Sequence, residues 1–310
     1  MGDKVMTREN WFEFLWPYFN EIIGEGYNEK PIEYNKLFTE EDTDTAFNKY
    51  KEVIGLPIWE ENYEGQPFNS ATRGIGPEIT ITPRRYDQSF TVTWEYFSDN
   101  KEKLMKGKGI TDEARMLGRG YRVAKEMSAA EIINTGFSNV GYDGVPLFST
   151  AHPLPGTAGE TFANTPATDA EKTLTYANLT KAITALSKQV DGRGIKIQAK
   201  ADKLFVSVDL LFTAQTLVHS ALVAGGNLND KNVISYVAPI EVIPMSYFDD
   251  GIWVLKDSTI PSLLFLNRAD AIFDHERIPN TYDRRVFGLA RWGVGYKDWR
   301  GLYGAKVPQD

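Results

Sequence analysis

Three histidines, His152, His219 and His275, are all that this sequence offers for imidazole chemistry, and no two stand at the spacing of an HExxH metal site. Asp274-His275-Glu276 sets three possible ligands side by side, but successive side chains of an extended chain point to opposite faces and do not converge on one ion. There is no cysteine, which removes thiol nucleophiles, thiolate metal sites and disulfides together. Gly107-Lys108-Gly109 precedes a helix, whose free N–H groups could meet an anion, but it fits neither the P-loop nor the dinucleotide spacing. Gly136-Phe137-Ser138-Asn139-Val140-Gly141 misses the nucleophile-elbow spacing and follows a helix, not a strand. Carboxylates are numerous, yet nothing places two of them together as a glycosidase requires. The sequence therefore assigns no catalytic residue, no metal ligand and no cofactor, and the chain reads as a non-enzyme.

Cations and aromatics remain. Arg115, Arg119, Arg122 and Lys125 fall at i, i+4, i+7 and i+10 of a helix and so gather along one line. That line is either a solvated face or a stripe turned toward acidic neighbours, a scaffold or DNA. Tryptophans Trp11, Trp16, Trp59, Trp94, Trp253, Trp292 and Trp299 are spread over the whole chain and are ordinarily core residues. Those in the thin N-terminal third are the exception.

The chain has 310 residues, 42% of them hydrophobic, enough for one large domain or two interleaved ones. Lys+Arg number 34 against Asp+Glu 42, a formal charge of -8, which argues against a protein built to grip phosphate backbones. No run reaches the roughly 18 consecutive apolar residues of a membrane span, and residues 1–10 hold no apolar signal segment, so a cytoplasmic protein is expected.

The elements that must position these residues differ along the chain. Trp11 to Ile23 suits a short helix, broken or kinked near Pro17, and Asn35 to Lys51 a second one. So short and aromatic a segment cannot bury itself, which suggests an arm lying on something else. Glu78-Ile79-Thr80-Ile81-Thr82 and the run Gln88 to Trp94 alternate as half-buried strands, read as a long hairpin excursion that needs a neighbour's support. The clearest helix runs from Thr111, as N-cap, to about Asn134, with Met116, Gly120, Val123, Met127 and Ala130 as an apolar stripe expected to lie against a sheet. A loop-rich surface stretch spans 136 to 170. After it come a helix at 176–190, a strand at 203–208, an apolar helix capped by Asp209 and stopped at Gly225-Gly226, and strands at 240–244, 252–255 and 262–266. Arg284 to Tyr303 reads as one or two further strands.

The string Asp143-Gly144-Val145-Pro146-Leu147-Phe148-Ser149-Thr150-Ala151-His152-Pro153 resembles the Mu-like major head subunit family of phage capsid proteins. The likeness continues through Leu174 to Leu186, Lys203 to Val208, Ala238 to Pro244, Arg284 to Gly288 and Lys297-Asp298-Trp299-Arg300-Gly301-Leu302-Tyr303-Gly304. It covers roughly residues 100 to 305 by motif, and the first hundred only by order of elements.

This resemblance implies an α+β chain with the Hong Kong 97 capsid fold. Residues 1–50 would be the N-terminal arm and 51–98 the hairpin called the E-loop. Residues 99–170 and 268–310 would form the peripheral domain, with its spine helix at 111–134, and 171–267 the axial domain. It further implies a major capsid protein of a tailed double-stranded DNA phage, in hexamers and pentamers of an icosahedral shell, in the virion and, during assembly, the host cytoplasm. Expected partners are copies of itself, a separate scaffolding protein, a portal and decoration proteins. DNA would be enclosed without sequence-specific binding. An encapsulin-like compartment shell is the alternative. Some family members cross-link their shells through an E-loop lysine, and residues 52–100 contain none, so closure is expected to be non-covalent. Trp11 and Trp16 in the arm, Arg73, Arg84 and Arg85 near the E-loop, and Arg115, Arg119 and Arg122 on the spine helix are the candidate inter-subunit residues.

Overall fold

The structure is a computed structural model that describes residues 11–105, 111–154, 159–223, 230–279 and 281–308. Its first part comprises α1 (Trp11–Asn28), α2 (Tyr34–Leu37), β1 (Thr39–Asp42), β2 (Asn48–Ile54), β3 (Gly74–Ile81), β4 (Arg84–Val92), α3 (Trp94–Met105) and α4 (Thr111–Asn134). There follow β5 (His152–Pro153), β6 (Thr161–Phe162), α5 (Asp169–Lys172), α6 (Tyr176–Ser187), β7 (Lys203–Ser207), α7 (Leu211–His219) and α8 (Ile234–Val237). The chain ends with β8 (Glu241–Met245), β9 (Ile252–Lys256), β10 (Leu263–Arg277), β11 (Arg284–Tyr296) and β12 (Leu302–Lys306).

Two four-stranded sheets carry the fold. One has the order β1-β10-β11-β4 and the other β12-β9-β7-β8. β10 and β11 form a long antiparallel hairpin, irregular near Asn267 to Ile272, with α4 packed across one face through Tyr121, Tyr86 and Trp292. In the second sheet β7 and β9 are apolar along nearly their whole length because both faces are covered. Leu204, Val206, Trp253 and Leu255 turn toward α6 and α7, whereas Phe205, Ile243, Val254 and Leu302 join Ala129, Ile133 and Trp292 in the main core. Alternation along each strand thus divides one sheet between two cores.

Several expectations are corrected here. Pro17 lies inside α1 without dividing it, since the burial of Trp11, Phe12, Phe19, Ile22 and Ile23 on one face outweighs the lost hydrogen bond. The second helix expected over 35–51 is only Tyr34–Leu37; β1 then runs parallel to β10, and β2 pairs with β3. The hairpin is therefore β2–β3 and not β3–β4. β4 instead joins β11, where its inward Tyr86 stacks on Trp292 at a centroid distance of 3.7 Å. Asp209 does not cap α7; its carboxylate accepts from the Gly251 N–H. Gly225-Gly226 and Gly107-Lys108-Gly109 lie outside the described residues. The boundary drawn at 267/268 cuts through β10, and β12, placed in the peripheral part, pairs with β9 in the second sheet. Backbone pairing between strands distant in sequence decides sheet membership, and linear boundaries cannot express it.

Candidate assembly surfaces

α1 and α4 approach to backbone contact. A Cβ on Gly118 would stand 2.0 Å from the Ile23 carbonyl oxygen, and one on Gly26 2.1 Å from that of Arg115, so glycine is required at both positions. Gly120, expected to serve close packing against a sheet, has nothing within 4 Å. Of the expected stripe Ala130 is buried and Val123 half-buried, whereas Met116 and Met127 are exposed, and the buried face also takes in Ala114, Leu117, Ala129 and Ile133. α4 is covered on two sides, and a single stripe describes only part of what is buried.

Each cation of the α4 line has a partner within the chain. Arg115 Nη2 donates to Glu25 Oε2 at 3.0 Å, and Arg119 grips Glu29 through Nε and Nη2 at 2.8 and 2.6 Å. The Arg119 guanidinium holds the Glu29 carboxyl below its ordinary value. Arg122 is buried on Glu126, whose carboxylate also accepts the Glu33 and Tyr34 N–H groups at 2.9 Å. Lys125 is buried among the rings of Tyr34, Tyr121 and Phe265, and burial pushes its ammonium below its usual range. Arg115 and Arg119 stay on a solvated face while they tie α4 to Glu25 and Glu29, whereas Arg122 and Lys125 are buried, Lys125 against α2 and β10.

The arm aromatics behave in the same way. Trp11 is 0% exposed and stacks on Phe97 at 4.2 Å, leaving no surface for a neighbour, while Trp16 is half-buried beside Phe12 and His275. Arg73, Arg84 and Arg85 are exposed. Arg73 closes the hairpin tip; Arg84 and Arg85 open β4 on the sheet edge rather than the hairpin, with Arg85 Nε donating to Asp87 Oδ1 at 3.1 Å.

An uncovered apolar surface whose residues sequence reasoning did not single out is the hairpin tip, residues 55–73. Leu56, Ile58, Trp59, Tyr63 and Phe68 there are 62 to 99% exposed. Its ends are gripped by Arg193, whose Nε donates to the Gly55 carbonyl at 2.7 Å and Nη2 to that of Thr72 at 3.2 Å. Below it, Glu52 of β2 meets Arg300 at 2.7 Å in a buried ion pair, and Arg300 also donates to Asp298 and the Val190 carbonyl. Burial outweighs the attraction of Arg300 and pushes the Glu52 carboxyl up. The sequence reads this stretch as part of an excursion in need of support, but which of its side chains stand uncovered depends on what packs beside them. A second apolar patch lies at Phe212, Tyr236 and Val237, which are 77 to 86% exposed on α7 and α8.

Two strings distant in sequence meet in the core. His152 Nδ1 stands 2.6 Å from Asp143 Oδ2 and Nε2 3.1 Å from Asn164 Oδ1, while the ring stacks on Trp299 at 4.3 Å. Asn164 also donates to the Leu147 carbonyl and accepts from the Ser149 N–H, and its own carbonyl takes the Gly304 N–H. A Cβ on Gly304 would meet the Phe148 ring at 2.5 Å. The polar groups are buried and mutually satisfied, so this cluster is a clasp between residues 143–164 and the C-terminal strand. Asp274 and Glu276 point outward while His275 faces α1, as strand alternation requires.

A family model described as phage capsid protein matches residues 77–305. None of the curated proteins compared with the chain matches it. Among solved structures, the capsid of cyanophage P-SCSP1u aligns with TM-score 0.57 and 11% identity over 91% of this chain and 89% of that one. The capsid of the native GTA particle gives 0.55 and 11% over 89% and 90%. A virus-like particle from Pyrococcus furiosus gives 0.53 and 9% over 93% and 98%. At such identities the likeness is one of fold, and that fold is the α+β architecture of Hong Kong 97-like shells.

Proposed function

This chain belongs to the phage capsid protein family, as a tailed-phage major capsid protein, and we propose that its copies close an icosahedral shell of hexamers and pentamers through non-covalent contacts. The hairpin tip carries this reading. Five large apolar side chains on a segment without cover form a surface that a solitary soluble protein does not keep, and a repeated chain buries it many times over. Lys49 and Lys51 lie at the hairpin base, both engaged with Glu78 at 2.6 and 3.3 Å, and the tip itself has no lysine. A net charge of -8 suits a wall that encloses DNA without adhering to it.

In this reading the first sheet with α4 acts as the peripheral part, the second sheet with α6, α7 and α8 as the axial part, and scaffolding, portal and decoration proteins are separate chains. Narrower membership among Mu-like head subunits rests on residues 143–153 and 297–304. An encapsulin-like compartment would share the fold; the match to phage capsid proteins over 77–305 favours genome enclosure.

Electron microscopy of the purified chain tests this: shells, tubes or capsomer rings are expected, and compact monomers at high concentration would overturn it. Closed particles that package a protein cargo in place of DNA during phage growth would favour the compartment.

A further inference from the structure

His275 sits where the first turns of α1 meet the far end of the β10–β11 hairpin. Its ring centroid lies 4.9 Å from that of Phe12 and 4.8 Å from that of Trp16, both on α1. Its Nδ1 is buried without a hydrogen-bond partner. Charged groups face it from each side: Glu13 from α1, Arg284 from β11 and Asp274 from its own strand. Burial and then Arg284 push the imidazole below its ordinary value, against the opposing pull of Asp274 and Glu13. A neutral ring suits two aromatic neighbours and an unpartnered nitrogen. A protonated ring places an unsatisfied N–H and a positive charge beside Arg284, and attraction of the cation to the aromatic faces must work against both.

The other half of α1 is held differently, by the close backbone approach at Gly26 and Gly118, by Glu25 on Arg115 and, just beyond the helix, by Glu29 on Arg119. None of these contacts includes a histidine. The two ends of one helix thus answer to different chemistry.

We propose that His275 is an acid-sensitive latch on α1, whose protonation releases the first two turns of the helix from the sheet while the glycine seam keeps the second half on α4. A ring that takes up a proton more readily when the helix is detached leaves the latch closed above the ordinary histidine value, about 6.5. The latch weakens as pH falls through that value toward the lower one of the docked state, because the open form then binds more protons. Release would uncover Trp11, Phe12 and Trp16, a surface absent at neutral pH.

Hydrogen exchange followed by mass spectrometry on the full chain at pH 7.5 and 5.5, corrected for intrinsic rates, tests this with His275→Gln as comparison. Wild type is expected to show faster corrected exchange at acid pH in residues 11–18 but not in 19–28. The gain should approach but not exceed about tenfold, the limit set by the one pH unit between 5.5 and the ordinary histidine value of about 6.5. His275→Gln, which stays neutral, should lose the pH dependence. Because that variant could destabilise the docked helix at every pH, the three histidine Cε1 proton resonances of wild type are also titrated. The His275 midpoint should fall below about 6.5 and coincide with the exchange transition. An acid response that persists in His275→Gln, or a His275 titration that leaves α1 protection unchanged, overturns the latch.

Discussion

Two glycines of one helix give a sharp contrast at the scale of single residues. Gly118 is pressed against the Ile23 carbonyl, so Gly118→Ala must push α1 off α4 and is expected to cost about 2 kcal/mol. Gly120 faces open space within the same helix, so Gly120→Ala should stabilise by about 0.5–1 kcal/mol through helix propensity alone. Urea unfolding of both variants reads the difference. A second residue-scale test is the Glu52–Arg300 pair. Removing one partner strands the other in the interior, and Glu52→Ala is expected to lower stability by about 3 kcal/mol. Equal stability of Glu52→Ala and wild type would show that Asp298 alone satisfies Arg300. The sequence displayed these residues without their partners. Arg115, Arg119 and Arg122 lined up as the helical period required, yet only the docking of the N-terminal segment revealed Glu25 and Glu29 as the counterparts of Arg115 and Arg119.

Among the elements, the hairpin β2–β3 stands apart because its tip has no cover and its base is clamped. Arg193→Ala removes two charge-assisted hydrogen bonds to the strand ends, and opening of residues 55–73 is expected to become easier by about 1.5–3 kcal/mol. Hydrogen exchange at Gly55, Ile75 and their neighbours measures it. Trp59→Ser with Phe68→Ser changes only exposed side chains, so the subunit should keep its stability within about 0.5 kcal/mol. Shell formation by this variant should nonetheless fail in electron microscopy; normal particles would remove the tip from the proposed interface. The elements themselves were unevenly legible. α4 is visible as Thr111–Asn134 in its own periodicity, whereas β2 is hidden because Ala46, Phe47 and Tyr50 also suit a helix face. β4 shows the alternation of a strand, but its partner is β11, almost two hundred positions away.

For the whole molecule, assembly is the property to test. Arg84→Glu with Arg85→Glu changes two exposed cations at the opening of β4, and subunits that fold but do not close shells are expected by sedimentation. Retention of normal particles would exclude this sheet edge from the contacts. Mature particles on a denaturing gel should run as single chains, because the exposed tip offers no lysine and Lys49 and Lys51 are engaged with Glu78. A ladder of linked subunits would refute non-covalent closure.

The sequence by itself determined the class of the molecule. Lack of thiols, sparse histidine and acidic balance excluded other classes, and the resemblance carried by strings such as 143–153 and 297–304 placed the chain among phage capsid proteins, because motifs and composition are read locally. Which surfaces are spent inside the subunit and which are left for neighbours depended on the tertiary structure. Trp11 and Trp59 are the same residue type in the same N-terminal third, and one is wholly buried while the other is 98% exposed. Their difference lies in what packs against them, α3 and the end of β11 for Trp11 and nothing for Trp59, and such long-range partners are not written in the spacing of nearby residues.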